Sequence, residues 1–239
     1  MFNRIAKKIK DNNVLLTLLK FNQELDWANV YHDSIRGKPW LTDLPLNVGR
    51  MAGNYSFFYV LNRVLNDFKP KDILEFGLGE SSKVISRYIE HELTGSNHNI
   101  IEQDADWTAY FKSRFTLSGN SSVQILPAVK TRVNGRSTYR YDNLMSTIKK
   151  KYDLYLIDGP TGSPHYSRYD IVDLTTGMSP QDEFIIVMDD SHKIGEQQTL
   201  ATLLRNFKDT GLAIQTATYS GTKAVTVVAT NKYRFACSL

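Results

Sequence analysis

The sequence predicts an α/β fold with a mostly parallel seven-stranded sheet that ends in an antiparallel hairpin. Two observations carry this prediction. Between Lys71 and Ala229, short apolar or β-branched runs alternate with longer mixed segments, which is typical of parallel strands joined by helices. Residues 212–230, LAIQTATYSGTKAVTVVAT, differ because two alternating runs are joined by SGTK, a hairpin signal. The last two strands should therefore form an antiparallel pair.

Each element follows from this pattern in chain order. Residues 11–70 are helical in character and rich in aromatics, so we expect residues 1–70 to form a helical extension packed on a core domain of residues 71–239. Within residues 1–70, the loop 38–53 is a candidate for closing a ligand cleft. Parallel strands are predicted at 72–76, 98–103, 122–127, 152–158 and 183–189. Helices are predicted at 82–93, 106–116, 142–150, 167–176 and 196–208.

Charge and cysteine content limit the classes of partner. The net charge of +4 and pI of about 9.0 favour acidic partners mildly. Basic residues do not cluster with aromatics along one segment, so no nucleic-acid partner is expected. The single cysteine, Cys237, excludes an internal disulfide and fits a reducing compartment, so we expect a cytoplasmic protein. The sequence leaves an oligomer possible.

The N-terminal segment raises the question of membrane contact. Residues 2–10, FNRIAKKIK, can form a small interfacial helix that makes peripheral membrane contact. A solvated basic helix packed on the domain is the alternative interpretation. The apolar run 14–19 is far short of the roughly 20 residues that a membrane span needs. It leads into KFNQELDW rather than into a small-residue cleavage site, so we interpret the chain as unprocessed.

A ligand site is predicted at EFGLGESS, residues 75–82. A strand that ends in Gly77 and Gly79 and enters a helix through Ser81 and Ser82 brings the backbone close to a ligand. Glu75 precedes the glycines, where a carboxylate would repel a pyrophosphate but accept an ammonium group.

The end of the second strand supplies a second cofactor contact. Glu102 ends that strand, where an acid takes the two hydroxyls of a ribose. A ligand that carries both a ribose and an amino-acid ammonium is S-adenosylmethionine (SAM). Gln103 and Asp158 complete the predicted cofactor-binding set.

These motifs carry a resemblance to a known class of enzymes. ILEFGLGESS followed by NIIEQDADW is similar to the first two cofactor motifs of class I SAM-dependent methyltransferases. The resemblance implies a Rossmann-like fold, with residues 71–239 as the SAM-binding methyltransferase domain. FGLGESS, EQDADW and YDLYLIDGPTGSPHYSRYDIV followed by MDDSHKIGE resemble plant glucuronoxylan 4-O-methyltransferases. This second similarity extends over about residues 73–204 and implies polysaccharide biosynthesis.

The chain also resembles macrocin-type sugar O-methyltransferases, which are metal-dependent. That family carries one acid after the fourth strand and an Asp-Asp pair after the fifth, and Asp158, Asp189 and Asp190 stand at those positions here. Three carboxylates at adjacent strand ends repel one another unless a cation lies between them, and oxygen ligands suit Mg²⁺, Mn²⁺ or Ca²⁺. Contact with the cofactor amino group or helix capping is the alternative role. Pro160 replaces the acid that serves as base in that family.

The missing acid leaves the proton acceptor to be found among other groups. His192, just past the fifth parallel strand, is the leading general base, and His165 is its competitor. Asp190 completes the predicted catalytic set. Arg168 and Tyr169, in the loop that contains His165, are candidates for holding an acidic sugar.

The predicted function is therefore SAM-dependent methylation of a sugar hydroxyl on a glycan, a glycan precursor or a glycosylated metabolite. Two alternatives remain open at this point. One is a catalytically silent, methyltransferase-like module that binds within a glycan-synthesis complex. The other is a nicotinamide-dependent oxidoreductase, which the absence of a third glycine in register and the presence of Glu75 disfavour.

Overall fold

The computed structural model describes residues 2–239, and of residues 2–12 it describes only a helical backbone. The side-chain pattern expected for an interfacial helix at residues 2–10 therefore lies outside the described residues. The eight α-helices that the structure describes are α1 (Phe2–Ser34), α2 (Pro39–Thr42), α3 (Tyr55–Arg63), α4 (Glu80–His91), α5 (Ala105–Arg114), α6 (Leu144–Thr147), α7 (Asp170–Leu174) and α8 (Ile194–Asp209). A π-helical turn, Val64–Phe68, continues α3, and a 3₁₀ helix, Asn231–Cys237, follows the last strand.

The described residues contain nine strands in two sheets. They are β1 (Asp72–Phe76), β2 (Asn97–Glu102), β3 (Ser121–Ile125), β4 (Ala128–Val133), β5 (Arg136–Tyr141), β6 (Leu154–Ile157), β7 (Ile185–Met188), β8 (Ile214–Ser220) and β9 (Ala224–Thr230). The main sheet has the order β3-β2-β1-β6-β7-β9-β8, and every pairing is parallel except the two that β9 makes. This is the sheet of the Rossmann-like methyltransferase fold, so the predicted fold class is confirmed.

The second sheet is a hairpin of β4 and β5 that the sequence analysis did not predict. Two predicted helices are also shorter than expected. The helix predicted at 142–150 is reduced to α6, because Asn143 has a left-handed backbone with φ of 56° and Ile148 is extended. The helix predicted at 167–176 begins only at Asp170, because Tyr166 and Arg168 have φ of 47° and 59°.

Two apolar layers cover the two faces of the main sheet. Neighbouring strand residues alternate between the layers, as Ile73 and Leu74 show, because side chains of a strand point to opposite faces in turn. Tyr31 and Phe58 belong to the first layer, so the helices ahead of β1 cover that face. Within the described residues, none of the helices combines the length and the apolar character that a bilayer crossing requires.

Strand register brings the predicted site residues to one edge of the sheet. Phe76 of β1 pairs with Ile101 of β2 and with Ile157 of β6, and Ile157 pairs with Met188 of β7. The residues that come directly after these paired positions are Gly77, Glu102, Asp158 and Asp189. They meet at the carboxyl edge, where ligands bind to open parallel sheets.

Candidate active site

The turn between β1 and α4 needs one of its two glycines for backbone reasons. Gly77 has φ of +94°, a conformation that L side chains rarely adopt, and it lies against the main chain of Asp158 and Gly159. Gly79 is extended, with φ of −166°, and a Cβ there would meet no atom within 4 Å. Packing therefore does not explain Gly79, whose absent side chain leaves open space beside the turn.

Glu102 is held rigidly at this open space by main-chain amides. Its Oε2 accepts a hydrogen bond from Leu78 N at 2.8 Å, and its Oε1 accepts from Gln103 N at 2.6 Å and Asp104 N at 2.9 Å. The carboxylate is 6% exposed and lines the cavity described below. Three of the roughly four lone-pair positions of the carboxylate are engaged, so Glu102 is preorganised to receive one hydroxyl donor from a ligand, at Oε2.

Glu75 lies on β1 just before the glycines, as predicted, but its side chain is buried beneath the turn. It is fully buried, Ser81 Oγ donates to its Oε1, and Ser82 Oγ donates to its Oε2 at 2.7 Å. His98 Nε2 lies 2.9 Å from the same Oε2. Neither Glu75 nor Ser82 lines the cavity, whereas Ser81 does. In this geometry Glu75 stabilises the glycine turn from below, and its predicted contact with a ligand ammonium stays a prediction.

A cavity of about 1100 Å³ opens above the sheet edge, a size adequate for a cofactor together with an acceptor. One wall carries Gly77, Gly79, Glu102 and Gln103. The opposite wall is the segment Leu46–Gly53, the inner part of the loop expected to close a cleft.

Two contacts hold this loop in place over the cavity. Asn47 N donates to Glu80 Oε2 at 3.0 Å, and Lys223 Nζ donates to Ala52 O at 2.8 Å. Between these anchors, Met51 is 94% exposed. The middle of the loop is a turn closed by hydrogen bonds from Gly49 N to Gly53 O and from Ala52 N to Gly49 O, and it leaves the Met51 side chain open to solvent.

Asp158, Asp189 and Asp190 meet beside a buried arginine, Arg168, and all of these except Asp189 line the cavity. Nη2 of Arg168 lies 2.8 Å from Oδ1 of Asp158 and 3.1 Å from Oδ2 of Asp190. Nη1 of Arg168 donates to the main-chain oxygen of Asp189 at 2.8 Å. Lys193 Nζ adds a contact of 2.6 Å to Oδ2 of Asp190. One guanidinium thus bridges the ends of β6 and β7.

The backbone and the protonation equilibria of this cluster are perturbed. Arg168 and Asp190 both have left-handed backbones, with φ of 59° and 58°, and such strain concentrates at functional sites. Burial raises the pKa of Asp158 to about 7, against the opposing charge of Arg168. Burial also raises the pKa of Asp189. For Asp190, burial acts in the same direction, but the hydrogen bond from Lys193 and the charge of Arg168 lower its pKa overall.

The predicted metal site has only part of what a divalent ion needs. The three carboxylates offer oxygens within 4.8 Å of one another, and both oxygens of Asp189 lack a hydrogen-bond partner among the described residues. However, the guanidinium of Arg168 already lies against two of the three carboxylates. A divalent cation bound to the same oxygens would face that positive charge at close range. In this arrangement the donor set does not fit a metal ion, although the predicted ligands do come together.

The two predicted histidines lie outside the cavity wall. Nδ1 of His192 accepts a hydrogen bond from Ala224 N at 3.3 Å, so in the neutral ring the proton is on Nε2. Burial lowers the pKa of His192, which keeps the ring neutral. The Nδ1 lone pair, which would have to accept the proton, already accepts this hydrogen bond. The geometry therefore does not favour the general-base role predicted for His192. His165 is half-buried, and its Nδ1 has no partner among the described residues.

Comparison with known proteins gives structural neighbours only. No protein-family model and no curated protein matches the chain. The chain is similar to the SAH-bound methyltransferase PaMTH1 of Podospora anserina, with 13% identity, 86% and 87% coverage of this chain and that one, and a TM-score of 0.46. It is also similar to the O-methyltransferase TomG of Streptomyces achromogenes, solved with SAM, with 14% identity, coverage of 84% of this chain and 89% of that one, and a TM-score of 0.48. A third neighbour is a Bacillus cereus O-methyltransferase solved with SAH, with 10% identity, coverage of 85% of this chain and 91% of that one, and a TM-score of 0.48.

At these identities and TM-scores, the neighbours decide nothing about the activity of this chain. The fold assignment rests on its own strand order, and the resemblance to sugar O-methyltransferases stays a prediction.

Several cavity residues were not predicted from the sequence. A Cβ on Gly159 would lie 2.2 Å from the Tyr141 hydroxyl and 2.8 Å from Gly77 N, so only glycine fits there. Trp107 lines the cavity and donates its indole N–H to Leu78 O at 2.7 Å. Lys193 joins the cavity from just before α8. Both residues lie within quoted motifs, Trp107 at the end of EQDADW and Lys193 in MDDSHKIGE, but neither was assigned a role in the site.

Proposed function

We propose that the chain is a SAM-dependent O-methyltransferase that acts on a sugar hydroxyl of a glycan, a glycan precursor or a glycosylated metabolite. The observation that carries the proposal is the fixed carboxylate of Glu102 beside the open space at Gly79. This pair suits a ribose and an adjoining chain that passes close to the backbone. SAM supplies an electrophilic methyl group on a sulfonium.

The contribution of the chain is alignment and proton removal. The walls of the cavity hold donor and acceptor so that the hydroxyl oxygen lies in line with the methyl carbon. The O–C bond forms as the S–C bond breaks, and the hydroxyl proton passes to a base. We assign that base to Asp158, because its side chain is 26% exposed toward the cavity whereas that of Asp190 is 7% exposed. Arg168 fixes the orientation of the Asp158 carboxylate.

Metal assistance is not part of this proposal, since Arg168 bridges the carboxylates that would hold the ion. The sugar acceptor rests on the resemblance of the motifs and on the room that the cavity leaves beyond the predicted cofactor position. A panel of neutral and acidic saccharides, assayed with labelled SAM, tests this part separately from cofactor binding.

A calorimetric titration with S-adenosylhomocysteine (SAH) and with NAD tests the premise. SAH binding at a single site with no NAD binding supports the proposal, and the reverse supports the oxidoreductase alternative. SAH binding without turnover across the saccharide panel supports the silent-module alternative. The silent-module alternative is favoured by one observation. Neither His192 nor His165, the histidines predicted to act as base, lines the cavity.

A further inference from the structure

From Glu24 onward, helix α1 packs on the body of the protein through one row of side chains, whereas residues 13–23 are exposed. Trp27 donates its indole N–H to Ser220 O at 2.9 Å, and Tyr31 is 2% exposed in the first apolar layer. Glu24 accepts hydrogen bonds from Tyr55 N at 2.7 Å and from Thr222 N at 2.9 Å. Because these residues are spaced three and four apart, they mark one face of the helix.

The opposite side of α1 carries an apolar band that no described residue covers. Leu25 is 64% exposed although its neighbour Glu24 is anchored, so the band points away from the body. It forms two adjacent rows along the helix. The members of the band are Val14, Leu15, Leu18, Leu19, Phe21 and Leu25, and each is between 49% and 64% exposed. Leu16, 57% exposed, lies outside the two rows, on the side of the helix that carries Trp27. An exposed apolar surface of this kind marks an interaction site.

The sequence of the same helix supplies positive charge. Residues 1–20 contain five basic residues and one acidic residue, Asp11. The basic residues are Arg4, Lys7, Lys8, Lys10 and Lys20. An apolar face combined with an excess of lysine and arginine is typical of helices that lie in the interface of a membrane with anionic lipids.

We propose that α1 docks the protein on an anionic lipid surface, with the apolar band inserted at the boundary between headgroups and acyl chains. A second copy of the chain is the competing occupant. A parallel pair of helices would bring two groups of basic residues side by side, and the two rows of the band are wider than the single seam that two helices share. The charge and the width of the band both favour a flat anionic surface. This proposal does not depend on the reaction in the cavity.

The experiment is co-sedimentation of the full-length protein with vesicles. One set is phosphatidylcholine alone, and the other is phosphatidylcholine with phosphatidylglycerol. We expect binding to the mixed vesicles that weakens as salt is raised, and binding at least about tenfold weaker to the neutral vesicles. The double variant L15E/L18E should bind the mixed vesicles at least about tenfold more weakly, because two apolar contacts are lost.

The matched control is the double variant I125E/M145E, which alters exposed apolar residues elsewhere on the surface and should bind as the wild type does. Thermal melts of both variants establish that each is folded. Absence of binding to mixed vesicles overturns the proposal, as does equal binding by L15E/L18E. Sedimentation equilibrium supplies a third test, since a wild-type dimer that L15E/L18E converts to monomer would show that a second copy covers the band.

Discussion

Arg168 and Asp158 form an ion pair of 2.8 Å at the strand end where the sequence predicted a metal ligand. The guanidinium is 5% exposed, so the pair lies out of bulk water, where its interaction is only weakly screened. A cation does lie between the clustered acids, as repulsion among carboxylates requires, but it is a side chain of the protein.

The first prediction concerns metal ions. Wild-type protein should show no thermal stabilisation by Mg²⁺, Mn²⁺ or Ca²⁺, and its turnover should survive exhaustive chelation, because Arg168 occupies the space between the carboxylates. Arg168→Gln should gain Mn²⁺ affinity of at least about tenfold over wild type, read as an ion-dependent rise in melting temperature. If wild type binds Mn²⁺ and Asp189→Asn abolishes that binding, the acids are metal ligands after all. The wild-type measurement decides the matter even if Arg168→Gln fails to fold.

The second prediction concerns the cofactor. Glu102→Ala should remove one charge-assisted hydrogen bond to a ribose hydroxyl, which contributes about 1.5 to 3 kcal/mol. SAH affinity, measured by calorimetry, should therefore fall at least about tenfold. Glu90→Ala removes a carboxylate that pairs with Arg87 on the surface, and it should leave the affinity unchanged. Equal SAH affinity in Glu102→Ala and wild type would refute the ribose assignment.

The third prediction concerns the proton acceptor. Asp158→Asn should lower turnover by at least about 10²-fold with little change in SAH affinity, since an amide cannot accept the hydroxyl proton. The pKa of Asp158 is raised to about 7, so only the deprotonated form above that value is active as a base. Wild-type turnover should accordingly rise as the pH passes through about 7. A flat profile across this range, or full activity in Asp158→Asn, contradicts the assignment, and Asp142→Asn is the surface control.

The fourth prediction separates His192 from the reaction. His192→Ala should keep turnover near that of wild type, well short of the loss of about 10²-fold that removal of a general base causes. The reason is the hydrogen bond from Ala224 N to Nδ1, because it occupies the lone pair that would otherwise accept a proton. A large loss of turnover with unchanged SAH affinity would restore His192 as the base. The same assay on His165→Ala covers the other predicted histidine.

The fifth prediction uses two glycines with opposite surroundings. Gly79→Val places a side chain in open space, so it should weaken SAH binding strongly while the melting temperature changes little. Gly159→Ala should instead destabilise the fold by about 1 to 3 kcal/mol, because its Cβ collides with Tyr141 and Gly77. Chemical denaturation and calorimetry measure the two effects. Equal effects of both substitutions on stability would contradict the distinction.

The sequence predicted the main sheet well because strand periodicity and the glycine turn are local signals. Gly77, Glu102 and Asp158 lie at strand ends, so parallel register alone brings them together. The role of Arg168 is not a local signal, because its contacts cross from the loop after β6 to the end of β7. For the same reason, the burial of Glu75 under Ser81 and Ser82 could not be inferred from its place before the glycines.

The missed hairpin had a signal in the sequence. Asn134 and Gly135 separate β4 from β5, and both have positive φ, 48° and 75°, as a two-residue hairpin turn requires. The flanking residues are mostly polar and exposed, so the apolar alternation that usually accompanies such a turn is weak. The turn residues Asn134 and Gly135 therefore indicate the hairpin, whereas the hydrophobic periodicity of its strands does not.

Trp107 can serve as a fluorescent probe of the cavity. Its indole is fixed on the cavity wall by Leu78 O, whereas Trp27 and Trp40, the other two tryptophans, pack against the apolar layer on one face of the sheet. In a Trp27→Phe, Trp40→Phe background, the emission of Trp107 would come from a single ring that an adenine can stack on or quench. Stopped-flow fluorescence would then time cofactor arrival without a label and before any acceptor has been identified.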